Sequence, residues 1–292
     1  MTANLTRLIS QHEHEFSKGQ RRIARFITEH YDEAAFMTAF RLGEEVGVSE
    51  STVVRFAAQL GFDGYPQLQK AVQELIRSKL TVVQRLEVAR ARMTDDEVLH
   101  SVATADINNI RQTLETIDRA AFDRAVESLV GARHIYIFGL GSCKPLAGFL
   151  THYLQMLLGG RIHPITASSQ NEIFEEMLDL DERDAVIGIS FPRYSSRAAK
   201  TLHFAKTRGA SVIAITDSLL SPLAPYATAL LLAHSDMVSV VDSLVAPLTV
   251  INALIVAVSL KTMDENRPKL EQLEQLWHTY NVYEFVDETE KA

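Results

Sequence analysis

The sequence predicts two domains of different class. An all-α N-terminal module holding a helix-turn-helix is followed by an α/β domain with a doubly wound, mostly parallel five-stranded sheet. Three observations predict this. Helical periodicity without strand signals fills the first 80 residues. From Arg133 onward, short apolar runs alternate with helical segments, as expected of a parallel sheet with both faces covered. A chain of 292 residues is also long for one small domain.

In the N-terminal module, Ser17-Lys18-Gly19-Gln20 forms a capping-box pattern ahead of Ile23, Ala24, Phe26 and Ile27. Residues 38–62 read as two short helices joined by a tight turn. The first covers 40–45, and Gly47 supplies the left-handed residue that stops it. Ser49 is placed to cap the second, accepting a backbone N–H from residue 51 or 52. Leu42, Val46, Val48, Val53, Phe56 and Leu60 fall on inward positions, and Gly61 ends the second helix. Its outward positions are Glu50, Ser51, Thr52, Arg55 and Gln59. Together with Ser49, such side chains reach phosphates and base edges when a helix enters a major groove. Arg55 is the expected specific reader, because arginine pairs bidentately with guanine. An ion pair to Glu44, Glu45 or Glu50 is its alternative role. Tyr65-Pro66 opens a further helix to about Lys79, with proline in the first turn.

Residues 80–97 are polar and charged and read as a helical connector. Thr94 with Glu97 forms a second capping-box pattern, starting a helix of about twenty residues. Its apolar positions are Val98, Val102, Ala105, Ile110, Leu114 and Ile117, and a helix over 119–130 follows. The expected division is a DNA-binding module at 1–79, a connector at 80–105 and a ligand-binding domain at 106–292. Strands are expected at 134–138, 161–164, 185–190, 211–216 and 229–233, with helices at 145–158, 171–178, 195–208 and 245–261. Ligands of such sheets bind at the carboxyl ends of the strands, which singles out the loops at 139–144, 190–196 and 217–225.

Composition narrows the function. The hydrophobic fraction of 47% and charged fraction of 23% are ordinary for a globular protein. The single Cys143 excludes an internal disulfide framework and fits a reducing compartment. The N-terminus lacks the basic start and apolar run of a secretion signal, so a cytoplasmic location is expected. The apolar run at 244–260 is short for a membrane span, is interrupted by Pro247, Thr249, Asn252 and Ser259, and reads as a buried helix. The ten histidines show no metal spacing, and no metal or cofactor is expected. Residues 1–80 carry 10 Lys and Arg against 10 Asp and Glu, and residues 81–292 carry 19 against 27, which holds the whole net charge of −8. A neutral DNA-binding module binds weakly as one copy, which favours a homo-oligomer.

Two loops concentrate ligand chemistry. Gly139-Leu140-Gly141-Ser142-Cys143 leaves the first strand and opens a helix, where glycines admit an anion to backbone N–H groups. Lys144 stands where a dinucleotide fingerprint requires a third glycine. Ser190 to Arg197 (Ser190-Phe191-Pro192-Arg193-Tyr194-Ser195-Ser196-Arg197) gathers hydroxyls and guanidinium groups at another helix start, suited to a phosphate or polyol. Glu172 or a histidine near the strand ends is the candidate base, but no nucleophile with a recognisable base emerges, so no catalytic residue is assigned.

GEEVGVSESTVVRFAAQLGFDGY, with Ser49, Thr52, Val53, Arg55, Phe56, Leu60, Gly61 and Phe62, resembles the helix-turn-helix of the RpiR family of bacterial transcription regulators. Residues 133–261 resemble the sugar isomerase (SIS) domain that follows it in that family. The resemblance covers nearly the whole chain. It implies a ligand-responsive regulator of a carbohydrate-metabolism operon. The implied partners are palindromic operator DNA, a sugar phosphate or related sugar or polyol as effector, and a second copy of the chain in a dimer or tetramer. It implies no membrane partner. In SIS domains a serine at the start of the first helix and a Ser-x-Ser-Gly-x-Thr loop usually hold the sugar phosphate. The first serine falls on Cys143, with Gly141 and Ser142 before it; the loop falls on Ser190, Pro192, Arg193, Tyr194 and Ser195. Ser190 is kept and Ser195 is conservative, whereas Cys143, Pro192 and Arg193 depart from the pattern. Two other functions remain open at this point: an aldose–ketose phosphate isomerase with an accessory helical domain, and a ligand-binding protein whose helical module binds protein.

Overall fold

The computed structural model describes residues 4–79, 81–86, 97–167, 169–236 and 241–283. Six helices build the N-terminal module: α1 (Asn4–His12), α2 (Lys18–Glu29), α3 (Tyr31–Ala34), α4 (Ala39–Val46), α5 (Glu50–Gln59) and α6 (Tyr65–Lys79). They close on one core in which Ile23, Ile27, Leu42, Phe56 and Leu68 are fully buried. Each such side chain contributes about 1.5–3 kcal/mol of burial free energy. The capping box at α2 forms as expected: Ser17 accepts the Gln20 N–H, and its own N–H donates to Gln20 Oε1 at 2.9 Å.

α4, the turn and α5 match the expected helix-turn-helix. Gly47 stands at φ 68°, the left-handed conformation that ends α4. The expected cap by Ser49 does not form. Its hydroxyl shares hydrogen bonds of 2.9 Å with the hydroxyls of Ser51 and Thr52 instead of accepting a backbone N–H. Neighbouring hydroxyls two and three residues on compete successfully for it, and the first N–H groups of α5 are left uncapped by this side chain.

Within the connector, residues 82–86 form one helical turn. The capping box expected from Thr94 lies outside the described residues, and the Glu97 side chain makes no capping bond. α7 (Val98–Thr116) is continuous, so a boundary after residue 105 falls inside it. Its expected inward face holds in part: Val102, Ala105, Ile110 and Ile117 are half-buried. Val98 and Leu114 are exposed, Leu114 by 69%, whereas Asn109 and Thr113 are buried. The buried face is polar because it satisfies backbone donors of the segment after the last strand. The His234 N–H donates to Thr113 Oγ1 at 2.8 Å and the Asp236 N–H to Asn109 Oδ1 at 3.1 Å.

The second domain has strands β1 (Ile135–Gly139), β2 (Ile162–Pro164), β3 (Ala185–Ile189), β4 (Ser211–Thr216) and β5 (Ala229–Leu232). They pair in the order β2-β1-β3-β4-β5, all parallel where "mostly parallel" was expected. The remaining helices are α8 (Arg119–Gly131), α9 (Lys144–Leu158), α10 (Gln170–Glu176), α11 (Ser196–Thr207), α12 (Val245–Lys261) and α13 (Met263–Thr279). Alternate strand residues serve two cores. Ile135 and Ile137 meet α8, α9 and α12 on one face, while Tyr136 and Phe138 meet α10 and α11 on the other. With both faces covered, β1 and β3 are buried along their whole length. α12 turns Val250, Ile251, Leu254 and Val258 into the first core, as expected of a buried helix. Among the described residues no single helix is long and apolar enough to cross a membrane; α12 and α13 pass that test only as a pair bent by 100°.

Candidate functional site

β1 is paired with the edge strand β2 on one side and with β3 on the other, so the order in which strands are added reverses between β1 and β3. A crevice opens at the carboxyl ends of strands at such a point. A cavity of about 760 Å³ lies there, walled by the 140–143 loop after β1 and the 190–195 loop after β3. That volume suits a small polar metabolite.

The glycines of the first loop are needed by the backbone itself. A β-carbon on Gly139 would collide with the Cys143 carbonyl oxygen, and Gly141 stands at φ 60°. This tight turn brings Ser142 and Cys143 to the start of α9. Cys143 is 3% exposed, and burial pushes its thiol up, opposed by hydrogen bonds from the Phe191 backbone and the Ser142 side chain. A protonated thiol, where the resemblance expects a serine, is a weaker partner for an anion than a hydroxyl.

In the second loop, Ser190 is buried and its Oγ accepts the Ser195 N–H at 3.3 Å, which folds the loop back toward the strand. Ser195 precedes α11 without capping it through its side chain. Arg193 is exposed on the cavity wall and stands at φ 67°. It stands where the resemblance expects a glycine, and it has a glycine-like backbone. A side chain in that conformation costs about 1–2 kcal/mol, so the loop retains its geometry while gaining a guanidinium.

Of the expected ligand residues, Gly141, Ser142, Cys143, Ser190, Arg193 and Ser195 converge on this cavity. Tyr194 does not line it: its hydroxyl donates to Asp217 Oδ1 at 2.7 Å. The third loop, 217–225, also stays off the cavity wall. It turns toward the N-terminal module, where Leu220 packs against the helical core. Glu172 is drawn into a capping box at α10, accepting the Ser169 N–H at 3.1 Å while its own N–H donates to Ser169 Oγ. Sequence reasoning missed Arg85, Asp106 and Asp242, which also line the cavity. They arrive from the connector, from α7 and from the segment before α12, and no local motif marks any of them. No group of three or more His, Cys, Asp or Glu side chains suited to a metal occurs among the described residues.

On the helix-turn-helix, Ser49, Ser51 and Arg55 are exposed and Thr52 is half-buried. Arg55 is held along its own helix: its Nε donates to the Ser51 carbonyl at 3.2 Å. Among the described residues it pairs with none of Glu44, Glu45 and Glu50; Glu44 pairs with Arg41 at 3.5 Å. Gln59 faces inward more than expected. It accepts from Gln20 Nε2 at 2.6 Å and donates to the Glu15 carbonyl, tying α5 to α2.

Comparison with known proteins decides the family. A helix-turn-helix domain of the rpiR family matches residues 3–79, and a SIS domain matches residues 128–257. The sugar isomerase domain of the RpiR transcription factor from Sphaerobacter thermophilus is 30% identical, with a TM-score of 0.58 over 61% of this chain and 99% of that one. The chain belongs to the RpiR family. The transcriptional regulator HexR of Pseudomonas aeruginosa is 26% identical over 93% of this chain and 95% of its own. Vibrio vulnificus NanR, solved in complex with ManNAc-6P, shares the fold at 20% identity and a TM-score of 0.56 over 95% of this chain and 98% of its own. This RpiR-family chain is therefore a helix-turn-helix transcription regulator with an attached SIS domain.

Proposed function

We propose that this RpiR-family protein is a cytoplasmic regulator of a carbohydrate-metabolism operon whose DNA binding responds to a sugar phosphate, or a related sugar or polyol. The carrying observation is the cavity at the switch point. It joins two helix starts, the hydroxyls of Ser142, Ser190 and Ser195, and the guanidinium groups of Arg85, Arg193 and Arg197. Three guanidiniums against the carboxylates of Asp106 and Asp242 leave a net positive lining for an anion. NanR, solved with a sugar phosphate, supports the same class of effector. The proposed division is a reading head at 1–79, a connector at 80–105 and an effector domain at 106–292. Ser49, Ser51, Thr52 and Arg55 contact DNA, and Gln59 holds the recognition helix on its scaffold.

In this reading a second copy completes the regulator. The N-terminal module is electrically neutral, so one copy has a weak hold on DNA. An apolar groove of about 310 Å³ between α7, α8 and α12 is lined by Ile110, Leu114, Ile117, Phe122, Val250 and Ala253. Beside it, α12 exposes Val256 and Leu260. An isologous contact through these helices sets two reading heads on a two-fold operator, with half-sites about 34 Å apart or a multiple of that. Contacts for transmission exist on the effector side: the effector loop reaches Asp217 through Tyr194, and the Asp217 loop reaches the helical core through Leu220.

The test is a gel-shift titration of the full chain against the intergenic DNA beside its gene, with and without a panel of sugar phosphates and free sugars. A wild-type protein that binds no such DNA would sink the regulator reading of this site. Binding that no member of the panel alters would sink the effector class.

A further inference from the structure

The helical turn at 82–86 is amphipathic the wrong way round. Val82, Val83 and Leu86 are exposed by 43%, 64% and 49%, whereas Arg85 is exposed by only 1%. A helix that docks for stability buries its apolar residues and leaves its charges in water. Here the turn lies on the surface and sends a single guanidinium inward, where it lines the effector cavity. Arg85 Nη1 pairs with Asp242 Oδ1 at 3.0 Å. Burying such a pair is seldom better for stability than apolar packing, so stability gives no reason for the arrangement. Asp242 itself is well placed to matter to an anion. It lines the same cavity, and its charge adds to the burial that pushes the Cys143 thiol up at the first effector loop.

We infer that Arg85 is an effector-binding residue delivered into the SIS cavity by the interdomain connector, and that Asp242 competes with the anionic group of the effector for its guanidinium. This rests on the reading of the cavity as the site of an anionic effector. An entering phosphate offers Arg85 more acceptor oxygens than the Asp242 carboxylate and is repelled by that carboxylate, so the guanidinium transfers to the ligand. Arg85 follows α6, which ends at Lys79, so whatever holds Arg85 also holds the chain leaving the DNA-binding module. The effector thus grips the reading head's tether directly, in addition to the loops of its own domain. Asp106, the other carboxylate of the cavity, accepts the Ser243 hydroxyl at 2.5 Å. Asp242 is the carboxylate that contends for Arg85.

The competition gives opposite signs for two substitutions. Binding of inorganic phosphate and of one hexose 6-phosphate to the full chain is measured by calorimetry for wild type, Arg85→Met, Arg85→Lys and Asp242→Asn. Removing Arg85 should weaken both ligands about tenfold, with lysine recovering part of the loss. Asp242→Asn should tighten them about threefold to tenfold, because the competitor is gone. Amide exchange of residues 81–86 should slow on hexose-phosphate binding in wild type and not in Arg85→Met, a change that a purely structural arginine would not produce. If wild type binds neither probe, the reading of the cavity fails and this inference falls with it. If wild type binds both while Asp242→Asn binds no tighter, or Arg85→Met binds as well as wild type, the inference alone is overturned.

Discussion

Arg193→Gly should make this protein more stable and at the same time a poorer receptor. Arg193 stands at φ 67°, where a β-carbon costs about 1–2 kcal/mol relative to an ordinary backbone. Glycine removes that strain but adds about 0.5–1 kcal/mol of chain entropy to be lost on folding. The balance is a gain of about 0.5–1 kcal/mol. For a domain of this size it should raise the melting temperature by about 1–4 °C. The exposed guanidinium meanwhile leaves the cavity wall. A charge-assisted hydrogen bond to an anion is worth about 1.5 kcal/mol at the exposed end of the range, so phosphate-ligand affinity should fall about tenfold. Arg193→Ala separates the two effects. It keeps the β-carbon in the strained conformation, so stability should stay near wild type while affinity falls as in the glycine variant. Thermal denaturation and calorimetric titration with a hexose phosphate measure both quantities on the same samples. A glycine variant that melts lower than wild type would refute the strain argument. Undiminished affinity in both variants would refute the role of the guanidinium.

Arg55→Ala should leave the melting temperature unchanged and reduce specific DNA affinity about tenfold or more, the worth of one bidentate base contact; equal gel-shift affinity would remove Arg55 from the reading surface. Leu114→Asp, on the exposed stripe of α7, should shift the chain toward monomer in light scattering at micromolar concentration, and an unchanged mass would move the dimer contact elsewhere. Asp184 sits at the amino-terminal end of the sheet, at the opposite end of the strands from the cavity loops. Burial disfavours its charge, yet it accepts two bonds from Arg133, at 3.0 and 2.7 Å, and backbone N–H groups of His134 and Asp181, and its carboxyl is held below the ordinary range. A depressed folded-state value means stability that is present above the unfolded value of about 3.9 and lost as pH falls through the folded one. Asp184→Asn should therefore cost about 3 kcal/mol near neutrality. The gap to wild type should narrow as pH falls below about 4, with ligand affinity near neutrality unchanged. A gap that stays constant with pH would argue against the ion pair as its cause.

Much of this molecule was legible in the sequence because local chemistry determined it. The capping box at Ser17, the left-handed Gly47 and the apolar strands each carry their cause within a few residues. Side-chain period and turn residues therefore placed the helix-turn-helix, the five strands and the two loops that wall the cavity. Where the local reading went astray, a competing partner decided. Ser49 found the hydroxyls of Ser51 and Thr52 before a backbone amide. α7 buried Asn109 and Thr113 because backbone donors at His234 and Asp236, distant in sequence, required acceptors. Val98 and Leu114 were left facing outward, while Val102, Ala105, Ile110 and Ile117 stayed half-buried. Gln59 turned toward Gln20, and Tyr194 toward Asp217, for the same reason.

The sequence by itself determined the two domain classes, the helix-turn-helix and the loops around the cavity, since periodicity and turn chemistry are local properties. Only the tertiary structure decided how those pieces meet. Strand order put the loops after β1 and β3 side by side at the switch point. Long-range folding brought Arg85 to Asp242 across 157 residues and placed Leu220 on the helical core. No pattern in the chain announces these contacts. Each depends on charge and shape complementarity between segments that share nothing locally, and that complementarity exists only once the chain has folded.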